Sequence, residues 1–106
     1  MGLPTNKINR EIAVYEKTLK SLQEKIRTRK YVMTVHAEEE MDDDELSIFD
    51  VERAVLTGKI IARQEDHETS EWKYIISGET IHGFLLIVVA KLSVTNKLVI
   101  ITVFLE

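Results

Sequence analysis

The sequence predicts an α+β domain in which three N-terminal helices pack on a four-stranded antiparallel meander sheet. In the first half of the chain, apolar residues recur every three or four positions, as they do along one side of a helix. After Gly58, short β-branched and apolar segments alternate with polar turns, as in successive hairpins. The 106 residues suit a single domain with one core. We divide 1–106 into a first helix over 1–30, short helices over 31–58 and an antiparallel sheet over 59–106.

The composition narrows the class of protein. The chain contains no cysteine, and its longest apolar runs are far shorter than the roughly 20 residues of a membrane helix. Its first residues lack the apolar segment of a secretory signal. We therefore expect a folded cytoplasmic protein that neither spans a membrane nor is exported.

Charge is divided unevenly along the chain. Residues 1–35 hold eight Lys or Arg and three Glu, whereas residues 36–106 hold six Lys or Arg and fifteen Asp or Glu. We interpret the basic part as a solvated helix face, with a phosphate-binding or acid-binding surface as the alternative.

The first helix follows from a seam of apolar residues at spacings of three and four. Thr5 or Asn6 is placed to cap it, and the β-favouring segment "YVMTV" ends it near Lys30. The seam suits packing across a sheet, and its three heptads also suit a coiled-coil partner. The seam residues are Ile8, Ile12, Tyr15, Leu19, Leu22 and Ile26.

Two short helices are predicted next. The first covers 36–43 and carries most of an acidic run in which seven of the residues 38–45 are carboxylates. We interpret that run as a solvated face, with docking to the basic first helix of the same or another subunit as the alternative. The second covers 48–57, with Ser47 as its N-cap and Gly58 as a left-handed residue after its end.

The sheet is predicted from the segments "KIIARQ", "EWKYIIS", "TIHGFLLIVVAKL" and "KLVIITVFLE". The last two are apolar at nearly every position, which implies that both of their faces are covered. Because helices on one side leave the other face uncovered, these strands are expected to be central or to lie in a subunit contact. Gly83, inside the third segment, predicts a bulge or a close approach by another part of the chain.

Four segments carry a resemblance to a known family. They are "YVMTVHAEEEM", "LSIFDVERAVLTGKII", "KYIISG" and "LVIITV", and the most specific residues are His36, Ala37 and Met41. Together they resemble the family named domain of unknown function 4258, which is similar to BrnT-like and RelE-like ribonuclease toxins of toxin-antitoxin systems. The family pattern reads His-Ala-x-x-Arg-Met, so Glu40 stands here in place of an arginine.

The resemblance implies a site for metal-independent RNA cleavage. Such a site needs a base, an acid and cations for the charge that develops on the phosphate. His36 has a suitable pKa for proton transfer, and Arg53, Arg63 and Lys73 are the candidate cations. Tyr74 is a candidate for stacking on a base or positioning a phosphate. We expect no cofactor and no metal.

Other interpretations of the same residues remain. His36 also suits a structural role at the start of its helix, bonded to a nearby backbone group or carboxylate. His36 and Glu39 or Glu40 lie on one side of the helix and could together bind a divalent metal. His67 or His82 would be the third ligand of that metal site. For both of these histidines, however, an exposed position without a functional role is favoured. Trp72 is favoured as core or as cover for a sheet edge over a stacking platform.

Two functional hypotheses follow. The first is a toxin-like ribonuclease of the RelE/BrnT type, acting on RNA and bound by an antitoxin-like partner protein. The second is a catalytically inactive interaction module of the same fold, which forms a homodimer or binds a partner protein through its apolar strands or its first-helix seam.

Overall fold

A computed structural model gives the backbone of residues 5–106 and the side chains of residues 15–106. Three helices and five strands follow one another along the chain. They are α1 (Thr5–Arg27), β1 (Tyr31–Met33), α2 (Val35–Asp43), α3 (Ile48–Thr57), β2 (Lys59–Glu65), β3 (Trp72–Glu79), β4 (Leu85–Leu92) and β5 (Leu98–Leu105). The predicted α+β class with three helices is confirmed. In this part of the chain, no helix combines the length and apolarity needed to cross a bilayer.

The sheet differs from the prediction in one strand. Its order is β1-β5-β4-β3-β2, so the predicted antiparallel meander is confirmed for β2 to β5. The prediction of four purely antiparallel strands is wrong, because β1 pairs with β5 in parallel and makes a five-stranded mixed sheet. β1 lies inside the range assigned to short helices, and its three residues are too few to show a period of two.

Helix α1 packs on its own chain. Leu22 and Ile26 are buried in the core, and Tyr15 and Leu19 pack against it, which favours the sheet-packing interpretation of the seam. The predictions for the seam residues Ile8 and Ile12 and for a cap at Thr5 or Asn6 lie outside the side chains that the structure describes. The helix ends at Arg27, three residues earlier than predicted, and Lys30 N donates to Lys25 O across the left-handed Arg29.

Helix α3 begins as predicted. Ser47 Oγ accepts from Asp50 N at 3.3 Å, and Asp50 Oδ2 accepts from Ser47 N at 2.9 Å, which completes a capping box. The left-handed conformation predicted for Gly58 is wrong, since its φ is −92°. Gly58 instead allows a close approach, because a Cβ there would lie 2.4 Å from Ala54 O.

Two further glycines mark how the sheet is built. Gly83 lies in the turn between β3 and β4 with a φ of 84°, and a Cβ there would meet nothing within 4 Å. The bulge or close approach predicted for Gly83 inside a strand is therefore wrong. The close approach occurs at Gly78 in β3, where a Cβ would lie 1.8 Å from Ala54 O. Gly78 thus lets α3 lie directly on the sheet.

The side of the sheet that faces α3 holds the core. Register places Tyr74, Ile76 and Gly78 of β3 on this side, next to Ala90, Val88 and Leu86 of β4. All three helices contribute to the same core, so they cover one face of the sheet. The fully buried large side chains are Leu22, Val51, Val55, Ile76, Leu86, Val88, Leu98, Ile100 and Val103.

Candidate functional site

His36 lies in the first turn of α2, and its imidazole is largely exposed. Its Nε2 lies 3.3 Å from Glu40 Oε1, one helical turn further on. The i,i+4 spacing therefore brings these two side chains together, as the sequence predicts. This places an exposed imidazole beside a carboxylate at the edge of the sheet.

Glu40 has a second contact that the sequence does not reveal. Its Oε1 accepts from Val103 N at 3.1 Å. β1 has ended at Met33, so this β5 amide points past the end of its parallel neighbour and needs another acceptor. The Glu40 carboxylate thus completes the hydrogen bonding of a strand edge, which a cationic side chain at this position could not do.

Thr34 seals the same edge between β1 and α2. Its backbone N donates to Ile100 O at 3.0 Å and its hydroxyl donates to Ile101 O at 2.9 Å. The same hydroxyl accepts from Ala37 N as the N-cap of α2. This region therefore fixes α2 against β5.

The candidate cations Arg63 and Lys73 lie on the strands at the other side of the sheet. Arg63 on β2 pairs in register with Tyr74 on β3, and its guanidinium lies 4.1 Å from the centre of the Trp72 ring. Trp72 is 40% exposed and pairs with Glu65 of the edge strand β2. Arg63, Trp72 and Tyr74 therefore form one cluster, with the cation stacked on the indole.

The structure does not bring this cluster to His36. α2 packs on β5, and β5 lies two strands from β3 and three from β2, or roughly 10 and 14 Å between strand axes. Lys73 points to the opposite face from Arg63, and its Nζ lies 3.7 Å from Asp66 Oδ2. Arg53 is exposed on α3.

The other predicted ligands and charges are also separated. His67 and His82 are exposed in the β2–β3 and β3–β4 turns, as expected. Among the described side chains, no group of three His, Asp or Glu has metal-site geometry. Within residues 15–106 the carboxylates of 38–45 form no ion pair with α1. Lys17, Lys20 and Lys25 line an open groove beside the β4–β5 turn.

A buried carboxyl and a partly buried phenol serve the fold. Burial opposes ionisation of Asp50, but hydrogen bonds from Ser47 N, Ile81 N and Ser47 Oγ outweigh it and hold the pKa of this carboxyl below its ordinary value. Asp50 thereby ties the β3–β4 turn to α3. Tyr31 Oη donates a 2.6 Å hydrogen bond to Glu52 Oε2, which ties β1 to α3. Burial and this hydrogen bond raise the pKa of Tyr31 to about 12.

The face of the sheet that points away from the helices is largely apolar, and we call it the open face. Its apolar residues alternate in register with the core-facing ones and lie on β1, β3, β4 and β5. Of these, Leu85 is 50% exposed and Phe104 is 42% exposed, and none belongs to the core shared with the helices. The apolar residues of the open face are Val32, Ile75, Leu85, Ile87, Val89, Val99 and Phe104.

This finding agrees with the sequence of the last two strands. Both β4 and β5 carry apolar residues on both faces, and the helices cover one of them. Ile87, at the middle of the open face, is only 4% exposed and pairs with Ser77 and Phe104. Charged groups reach this face at its ends, where Lys91 Nζ lies 3.4 Å from Glu71 Oε2. The face is thus apolar at its centre, where neighbouring side chains shield Ile87, and its exposed apolar area lies around that centre at Val32, Leu85 and Phe104.

Comparison with known proteins identifies the family. The model of the family described as Domain of unknown function (DUF4258) matches residues 33–105. The chain belongs to this family. Searches of the curated proteins and of the solved structures each found no match. For this DUF4258 protein, the matched range contains α2, α3 and strands β2 to β5, and therefore both His36 and most of the open face.

Proposed function

We propose that this DUF4258 protein is a protein-binding module whose binding surface is the open face. The observation that carries the proposal is that β4 and β5 are apolar on both faces although the helices cover one. Contiguous apolar surface that is left uncovered, as around Leu85 and Phe104, marks interaction sites on proteins. A sheet with an uncovered apolar face gains free energy when another layer removes that face from water.

The placement of the candidate catalytic residues also supports a binding role. RNA cleavage needs cations close to the proton-transferring group. Arg63 is stacked on Trp72, Lys73 is paired with Asp66, and both lie at least two strand spacings from His36. Glu40, beside the imidazole, adds negative charge where a phosphate would have to bind.

Site-specific photocrosslinking in the cells that produce the protein tests this proposal. Benzoylphenylalanine replaces Phe104 on the open face or, as a matched control, Phe49, which is 61% exposed on α3. We expect one or a few discrete protein adducts from position 104 and none from position 49. Equal crosslinking at both positions, or none at 104, would contradict a binding role for the open face.

A second candidate function is RNA cleavage of the BrnT/RelE type, with an antitoxin-like protein as inhibitor. It is favoured by the exposed His36 imidazole, whose Nε2 lies 3.3 Å from Glu40 Oε1 and which is thereby placed to exchange protons with a substrate. In this case Arg53, Arg63, Lys73 or Tyr74 would have to approach the RNA from elsewhere on the surface.

Growth on induced expression separates the two candidates. A ribonuclease toxin arrests growth, and His36→Ala relieves the arrest while His67→Ala, at an exposed turn position, does not. A binding module gives no arrest that depends on His36. RNA from the induced cells, analysed for new 5′ ends, shows whether an arrest comes from cleavage.

A further inference from the structure

We infer that the open face is covered by a second copy of the same chain, packed sheet against sheet about a two-fold axis. This inference rests on the proposed function and names the partner of that surface. In such an isologous contact, the same residues of both copies meet, so the surface must be complementary to itself. An apolar, centrally uncharged face meets this requirement.

The area of the open face suits a dimer of modest affinity. Strands lie about 4.8 Å apart and rise about 3.4 Å per residue, so the four strands that carry the open face, up to eight residues long, form a face of roughly 19 by 27 Å. Two such faces together remove on the order of 1,000 Å² from water, which is the lower limit for a specific interface. Sheets packed face to face in this way lie about 10 Å apart with their strands at about 30°.

The charges around the open face favour self-association over binding of a charged partner. Lys73 Nζ lies 3.7 Å from Asp66 Oδ2, and Lys91 Nζ lies 3.4 Å from Glu71 Oε2. Lys73 and Lys91 are thus neutralised within their own chain. Two copies therefore meet without like-charge repulsion at these positions, whereas a strongly acidic or basic partner would find no unpaired complement there.

The edges of the sheet are unsuited to the other common mode of strand-based association. At one edge, past the end of the three-residue strand β1, the Thr34 hydroxyl and the Glu40 carboxylate occupy hydrogen-bonding groups of β5. At the other edge, β2 has an irregular register between Ile60 and Ala62 and carries the charged residues Lys59, Arg63 and Glu65. Bulges and charges of this kind oppose edge-to-edge pairing. A second copy is thus directed to the face.

Sedimentation equilibrium of the purified full chain, from about 1 to 500 μM, tests the inference. We expect a monomer–dimer equilibrium whose midpoint lies within this concentration range and which reaches twice the 12.2 kDa chain mass. Phe104→Glu should weaken dimerisation at least tenfold. Phe49→Glu, the matched change on α3, should leave it unchanged, and circular dichroism confirms that both variants are folded.

Salt concentration distinguishes this dimer from one formed by docking of the acidic α2 against the basic α1. Burial of an apolar face is maintained in 1 M NaCl, whereas association between exposed opposite charges is screened. Dimers that persist in salt and are lost in Phe104→Glu support the inference. A monomer at every concentration, or a dimer lost in salt or equally sensitive to Phe49→Glu, overturns it.

A single introduced cysteine gives a second test that leaves the face otherwise intact, since the chain has no cysteine of its own. Val89→Cys lies near the centre of the open face, where a two-fold axis brings a residue close to its own copy. We expect rapid disulfide-linked dimers under mild oxidation, and much slower linkage for Val94→Cys in the exposed β4–β5 turn. Equal rates overturn the inference.

The two proposals fail in different ways. If photocrosslinking at position 104 gives an adduct heavier than two chains while the purified protein is monomeric, the open face binds another protein and the second-copy inference is wrong. If position 104 gives no adduct in cells and the purified protein is also monomeric, the proposed binding function itself is wrong.

Discussion

Replacing Gly78 by alanine tests how closely α3 is held against the sheet. A Cβ at position 78 would lie 1.8 Å from Ala54 O, 2.6 Å from Ala54 C and 2.8 Å from Ala54 Cα. All three atoms belong to the helix backbone, so no side-chain rotation relieves the overlap. The helix would have to move away from β3 by more than an ångström, which would loosen its packing on β3 and β4.

The size of the effect follows from overpacking of a rigid core. Forcing one extra methyl group into such a position costs about 3 kcal/mol or more. For a domain of this size, each kcal/mol lowers the melting temperature by about 4 °C. We therefore expect Gly78→Ala to melt at least about 12 °C below the wild type, or not to fold.

Gly83→Ala is the matched control for this change. There a Cβ meets nothing within 4 Å, but the φ of 84° is unfavourable for alanine, and this costs about 1–2 kcal/mol. Thermal unfolding followed by circular dichroism measures both variants. A Gly83→Ala variant less stable than Gly78→Ala would refute the reasoning, as would rescue of Gly78→Ala by Ala54→Gly, which leaves the helix backbone in place.

Three further predictions concern polar groups and are measured by urea unfolding. Glu40→Ala removes the acceptor of Val103 N and should lower the free energy of unfolding by about 1–2 kcal/mol, whereas Glu39→Ala, exposed on the same helix, should change it by less than about 0.5 kcal/mol. Asp50→Ala removes the capping box and should cost about 2 kcal/mol. Because the pKa of Asp50 is lowered by folding, this difference should be complete above the unfolded value of about 3.9 and shrink as the pH falls through the folded value. Folding raises the pKa of Tyr31 from 10.0 to about 12. The wild type should therefore lose stability as the pH rises from 10 to about 12, because the unfolded chain ionises first. Tyr31→Phe has no such group and should lose less stability over this range.

Helices whose residues recur at regular local spacings could be predicted from the sequence. The seam of α1 at Tyr15, Leu19, Leu22 and Ile26 and the Ser47 cap of α3 depend on local spacing, and both are confirmed. β1 was missed because three residues do not establish a period, and its place is fixed by pairing with a strand some 70 residues further on. The partner of so short a strand cannot be deduced from its own three residues.

The candidate site was predictable only where partners are close in sequence. The spacing of His36 and Glu40 places them together, but their distance from Arg63 and Lys73 depends on the strand order. The contact between Glu40 and Val103 likewise joins two distant segments. The open face was the strongest signal, because apolar residues at consecutive positions of β4 and β5 require cover on both sides of a sheet.

The parallel pairing of β1 with β5 has a consequence for synthesis of the protein on the ribosome. Residues 31–33 obtain their backbone partners from residues 98–100, and α2 rests on the same strand. The nascent chain therefore cannot complete this layer until residues 98–105 have left the exit tunnel. Until then β1 has no pairing partner and α2 has no strand to pack on, so a chain that stopped before residue 98 would lack this whole layer.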